Sequence, residues 1–165
     1  GTGCVGLAIL KHVSDEIHGV FADLSEPALE VARHNITALH LTGRALAFQA
    51  DAAKPADPVL GRFQLIVCNP PYIPTAEIPM LDIEVQKEPH MALDGGADGL
   101  DFYRAVSRNY APALTAGGTL AFEVGLGQFE AVMAILEQAG YSKVQYFCDL
   151  AGVERVVTGC WEQGL

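Results

Sequence analysis

Phe63-Gln64-Leu65-Ile66-Val67-Cys68-Asn69-Pro70-Pro71-Tyr72 is a nearly unbroken apolar run followed at once by an asparagine, two prolines and a tyrosine. The first six residues predict a strand covered on both faces, as in a parallel sheet. The tetrapeptide then falls at the carboxyl end of that sheet, where open α/β folds bind ligands. The side-chain carbonyl of Asn69 and the backbone carbonyl of Pro70 are both acceptors, and together they can take both hydrogens of one planar NH₂ group. The prolines fix φ and hold those acceptors rigid. Tyr72 offers an aromatic face to a planar group or a cation. Such a set suits one task, the orientation of a weakly nucleophilic planar nitrogen whose lone pair is delocalised. Orientation can lower a barrier by several kcal/mol, up to roughly 7–11 in the best intramolecular cases. No strong base is needed beforehand, because the proton can leave once the nitrogen has become cationic. The plainer alternative is a proline-rich turn that caps a strand.

Outward from this stretch, strand and helix signals alternate. His18–Asp23 and Arg44–Gln49 read as strands. Between them Ser25–Leu41 reads as a helix, with Ser25 as N-cap, Pro27 in the first turn, Leu29, Ala32, Ile36 and Leu39 on one face, and Thr42-Gly43 as its end. Downstream, Leu100–Leu114 predicts a helix strained near its end by Pro112, and Ala116-Gly117-Gly118 a turn. Thr119–Val124 reads as a strand and Gln128–Ala139 as a helix closed by Gly140. Tyr141–Cys148 and Glu154–Trp161 predict an antiparallel pair. The expectation is a single α/β domain over residues 1–165, with a mostly parallel sheet and an antiparallel C-terminal strand.

The chain opens Gly1-Thr2-Gly3-Cys4-Val5-Gly6, literally a G-x-G-x-x-G at the mouth of a helix, and Asp23 follows Gly3 by 20 residues at a strand end. In nucleotide-binding folds such glycines let the backbone approach the ligand, and the carboxylate accepts hydrogen bonds from ribose hydroxyls. The fingerprint needs a strand immediately before the glycines, and none stands there. The residues are therefore expected to be a fragment of a longer chain lacking the first central strand. Alone they should be unstable, aggregate, or borrow a strand from a second copy as a strand-exchanged dimer. Asp51, after the second strand candidate, can accept a hydrogen bond from an adenine amino group; a helix cap or turn aspartate is the equal alternative.

Composition narrows the class. Half of the 165 residues are hydrophobic, enough to bury a core. Ten Lys+Arg against twenty Asp+Glu give a net charge of −10, and no run of basic residues is present. Direct nucleic-acid binding is not expected from such a balance. No stretch of 18 apolar residues suggests a membrane span, and the opening residues carry no basic leader. Cys4, Cys68, Cys148 and Cys160 form no C-x-x-C pair and the five histidines are scattered. The expectation is a reducing cytoplasm and no metal.

The order of glycine loop, Asp23, Asp51-Ala52 and Asn69-Pro70-Pro71-Tyr72 resembles the class I S-adenosylmethionine-dependent methyltransferases, a Rossmann-like fold, that modify planar nitrogens. Within them, Glu88-Pro89-His90-Met91-Ala92-Leu93, Asp94-Gly95-Gly96, Asp98-Gly99-Leu100 and Glu123-Val124-Gly125 resemble the HemK/PrmC family over essentially the whole chain. That family methylates the side-chain amide nitrogen (N5) of a glutamine in the Gly-Gly-Gln motif of peptide chain release factors, leaving S-adenosylhomocysteine. By this resemblance Gly1, Thr2 and Gly3 belong to the cofactor loop and Gly6 becomes merely a small helix residue. Asp23 would hold the ribose hydroxyls, and Asp51 and Ala52 would lie beside the adenine. Asn69 would touch cofactor and substrate, and Asn69 through Tyr72 would cradle the glutamine amide. The family's N-terminal helical domain, the acidic residue and first glycine of the loop, and the strand before them have no counterpart in this sequence. The rivals are a nucleic-acid amino methyltransferase acting on adenine N6 or guanine N2, an inactive or cofactor-binding-only fragment, and a nicotinamide-dependent dehydrogenase. The last leaves Asn-Pro-Pro-Tyr unexplained.

Overall fold

A computed structural model describes residues 1–163. The chain forms two compact units, Gly1–Leu60 and Gly61 onward. The first runs α1 (Cys4–His12), β1 (Gly19–Asp23), α2 (Glu26–Ala38) and β2 (Ala45–Gln49), with β1 and β2 parallel and Asp23 opposite Gln49. Leu7 and Leu10 of α1, Ile36 of α2 and Leu41 make its core, with Phe21, Ala45 and Ala47 packed against it.

Helix α2 starts as expected: the Ser25 hydroxyl accepts from the Ala28 N–H, Pro27 sits in the first turn, and Leu29, Ala32 and Ile36 are buried. It ends earlier than Thr42-Gly43. His40 takes a left-handed conformation (φ 58°), and its N–H reaches the Thr37 carbonyl while the Leu41 N–H reaches that of Ile36. This is a Schellman closure, in which buried Leu41 meets Ile36 and the turn projects Leu39 outward instead of onto the core face.

The second unit contains β3 (Phe63–Cys68), a single-turn helix α3 (His90–Leu93), α4 (Asp101–Asn109), β4 (Leu114–Glu123), α5 (Phe129–Gln138), β5 (Ser142–Cys148) and β6 (Glu154–Trp161). Its sheet has the order β3-β4-β6-β5, parallel between β3 and β4 and antiparallel elsewhere. Tyr103, Val106, Leu120, Phe122, Val132, Leu136 and Val157 fill its core. Tyr103 packs edge-on against Phe122 with ring centroids 5.1 Å apart, and its hydroxyl donates to the Glu123 carbonyl.

Three local expectations are corrected here. The α4 helix stops at Asn109, and Pro112 falls in a separate 3-10 turn, because proline cannot continue the helical bonding. The expected turn at Ala116-Gly117-Gly118 lies inside β4 as an irregularity: Phe63 opposes Leu114 while Leu65 opposes Thr119, so two steps on β3 face five on β4. Gly117 takes φ 78° within it. Finally, β3 is not covered on both faces. It is an edge strand among the described residues, and Leu65 and Val67 stay 45% and 43% exposed.

Among the described residues no helix is long and apolar enough to cross a membrane. Among those residues no group of three or more His, Cys, Asp or Glu side chains is placed to hold a metal ion.

Candidate active site

In the first unit the sequence-selected residues gather at the carboxyl ends of β1 and β2. Gly3 is the N-cap of α1, its carbonyl accepting from Leu7 N–H at 2.8 Å, and the Thr2 carbonyl accepts from Asn35 at 3.0 Å. Asp23 is half-buried. One carboxylate oxygen accepts from the Ser25 N–H at 2.7 Å, the other meets the amino group of Gly1, and its backbone carbonyl accepts from Ala50 at 3.0 Å. Asp51 makes a local turn, with one oxygen accepting from Ala53 N–H at 2.9 Å and the other 3.6 Å from the Lys54 ammonium. Ala52 stands half-buried in that turn. Gly6 is more than a small helix residue: a β-carbon there would come within 2.3 Å of the Phe21 ring, so its absence lets α1 lie against β1.

The donors and acceptors present fit a nucleoside cofactor. Asp23 is held rigid by Ser25 and presents a carboxylate suited to a vicinal diol, beside the glycine entry to a helix.

In the second unit Asn69-Pro70-Pro71-Tyr72 leaves the carboxyl end of β3. Asn69 is exposed, Pro70 buried, and Pro71 and Tyr72 half-buried. The chain beyond is tied to the segment that carried the family resemblance. Ile73 forms a parallel bridge with Asp94, donating to the Leu93 carbonyl at 3.0 Å and accepting from Gly95 N–H at 2.9 Å. The Thr75 hydroxyl donates to Asp94 at 2.7 Å and the Gly96 N–H to the same oxygen at 3.0 Å. Those bonds hold the Asp94 carboxyl below the usual carboxylate range, the Thr75 hydroxyl contributing most. The Arg104 guanidinium does likewise for Asp98, at 2.6 Å.

Three glycines press on Tyr72. A β-carbon on Gly95 would sit 2.8 Å from Tyr72 Cα, one on Gly99 2.3 Å from the Tyr72 carbonyl oxygen, and one on Gly125 3.0 Å from its ring. The Gln128 side chain donates to the Tyr72 carbonyl at 2.9 Å. Sequence reading did not single out Gln128, which sits 56 residues from its partner. Cys68 ends β3 directly before Asn69, and burial pushes its thiol pKa up to about 12. A cavity of about 360 Å³ opens just beyond the tetrapeptide, lined by Thr75, Ile78, Pro79, Gln86, Glu88, His90 and Leu93.

A model of the methyltransferase small domain matches residues 1–84, just over half of the chain, and the chain belongs to that family. Its fold is that of the class I methyltransferases. It is similar to the S-adenosylmethionine-dependent methyltransferase SibL (14% identity, TM-score 0.66, 99% of this chain and 48% of that one). It also resembles the hMettl16 catalytic domain solved with a MAT2A 3'UTR hairpin (12% identity, TM-score 0.73, 99% of this chain and 62% of that one). Among curated proteins it is 44% identical to the release factor glutamine methyltransferase of Bradyrhizobium diazoefficiens over 160 residues, 96% of this chain and 52% of that protein. It is also 44% identical to the protein of that name from Rhodospirillum rubrum over 156 residues, 94% of this chain and 47% of that protein. The chain spans about half the length of these relatives.

Proposed function

We infer that residues 1–165 are a methyltransferase catalytic domain that acts with S-adenosylmethionine on the side-chain amide of the glutamine in the Gly-Gly-Gln motif of peptide chain release factors, in the cytoplasm. The observation that carries this reading is Asn69-Pro70-Pro71-Tyr72 at the carboxyl end of β3, in a chain 44% identical to proteins named for that reaction. Asp23 would hold the ribose hydroxyls, Gly1, Thr2 and Gly3 would pass close to the cofactor, and Asp51 and Ala52 would flank its base. When bound, the cofactor supplies an electrophilic methyl group.

The protein's own residues do the rest. The Asn69 side-chain carbonyl and the Pro70 backbone carbonyl accept the two amide hydrogens and aim the nitrogen lone pair. On taking up that methyl group the amide nitrogen would become cationic. Its hydrogens are then stronger donors to these two carbonyls than in the ground state, which is where the rate gain arises. One proton then leaves to solvent. Tyr72 lies flat beside the planar amide. The cavity past Thr75 offers room for the residues that flank the glutamine.

The test is methyl transfer from labelled S-adenosylmethionine to a recombinant release factor, with a Gly-Gly-Ala variant of that factor and RNA as parallel acceptors. Label on the Gly-Gly-Gln factor alone supports the reading. Label on RNA, or equal label on the Gly-Gly-Ala factor, overturns it.

A further inference from the structure

We propose that Gln128 is a positioning residue for the substrate clamp, setting where Tyr72, and through it Asn69 and Pro70, stand. The proposal rests on the reading that this tetrapeptide receives the substrate amide.

The backbone of Gln128 is already committed. Its N–H donates to the Gly125 carbonyl at 3.1 Å, and its carbonyl accepts from Val132 N–H at 3.0 Å to begin α5. Its side chain makes no capping bond to that helix. Instead the amide turns back across its own turn and outward at once. Oε1 accepts from the Gly125 N–H at 3.2 Å, and Nε2 donates to the Tyr72 carbonyl at 2.9 Å. A residue serving only to stabilise the turn would need the first bond and not the second.

The chemistry demands glutamine. One partner is an obligate donor and the other an obligate acceptor, so the terminal group must accept on one side and donate on the other. Glutamate keeps the length but cannot donate.

The surroundings are cut to admit this amide. A β-carbon on Gly125 would stand 2.6 Å from Oε1, and one on Gly99 2.7 Å from Nε2. Two glycines from separate segments therefore leave a slot that the amide fills. On the other side of Tyr72, Ile73 is held by Leu93 and Gly95. Tyr72 is thus fixed from the β4–α5 turn and from the segment after α3. Pro70 and Pro71 have fixed φ, which leaves fewer backbone rotations between Asn69 and Tyr72 to absorb a shift at the Tyr72 carbonyl.

The experiment uses the full chain labelled with 3-fluorotyrosine, whose Tyr72 resonance is assigned with Tyr72→Phe. Gln128→Glu is compared with wild type by fluorine NMR without substrate, by cofactor calorimetry, and by methyl transfer to the release factor. The expected result has three parts. The Tyr72 resonance shifts or broadens while that of Tyr141 stays, kcat falls roughly 10- to 100-fold, and cofactor affinity holds within about threefold. An unmoved Tyr72 resonance, or a kcat loss matched by an equal loss of cofactor affinity, overturns the proposal. Should Gln128→Glu not fold, Gln128→Met removes both bonds without adding charge and is read the same way. If the wild type transfers no methyl to release factor, the substrate reading fails, while the NMR arm still decides whether Gln128 sets Tyr72.

Discussion

A β-carbon added to Gly99 would stand 2.3 Å from the carbonyl oxygen of Tyr72, and Gly99 itself is held at φ 73°. Both facts make any side chain at this position costly. Gly99→Ala is expected to cost about 2 kcal/mol or more in urea unfolding. Gly43→Ala, where a β-carbon meets nothing within 4 Å and φ is ordinary, should change stability by less than about 0.5 kcal/mol. Equal costs at the two positions would mean that the close approach to Tyr72 is not what Gly99 supplies.

Asn69→Ala removes an acceptor that is exposed at the carboxyl end of β3. The expected loss in kcat is about 100-fold, with cofactor affinity changed by less than about threefold. Steady-state kinetics and calorimetry separate the two. A near-wild-type kcat would remove Asn69 from the reaction.

Asp23→Ala should act on the other quantity. The loss of a charged acceptor predicts cofactor affinity weaker by roughly 10- to 100-fold. Asp23 also accepts from the Ser25 N–H ahead of α2, so Asp23→Asn is the companion that keeps this bond and removes the charge. Both variants are titrated with S-adenosylhomocysteine. Unchanged affinity in both would place the ribose elsewhere.

The thiol of Cys68 is raised to about 12 by burial, and burial disfavours the thiolate. At pH 8 the reactive fraction is on the order of 10⁻⁴, and it grows only as pH climbs toward 12. With iodoacetamide, mass spectrometry should find the exposed Cys4 and Cys148 modified first and Cys68 last. Alkylation of Cys68 as fast as Cys4 would show that the end of β3 is open to the reagent.

Elements whose signals are local were legible in the sequence. The Ser25 cap, the apolar face of α2, the FQLIVC strand and the antiparallel pair β5–β6 all rest on neighbours within a few residues. Misreadings arose where a distant partner overrode local chemistry. Ala116-Gly117-Gly118 has the composition of a turn, yet pairing with β3 draws it into β4. Leu39 has the period of a core residue, but His40 ends the helix and turns it away. The site shows the same division. Asn-Pro-Pro-Tyr announces itself because acceptors and rigidity lie within four residues. Gln128 does not, since its meaning comes from a carbonyl 56 residues earlier. The glycines at 95 and 99 could be quoted as a motif, but only their distance to Tyr72 explains them.

The irregular entry to β4 has a consequence for how this sequence can drift. From Leu65 to Cys68 the pairing with Thr119 to Phe122 is unbroken, and the mismatch is confined to the residues before it. The strand therefore has a slack end and a taut end, and the tetrapeptide hangs from the taut one. Length changes arriving from α4 can be taken up around Gly117 and go no further. A single insertion between Thr119 and Glu123 would instead turn every following side chain to the opposite face of the sheet.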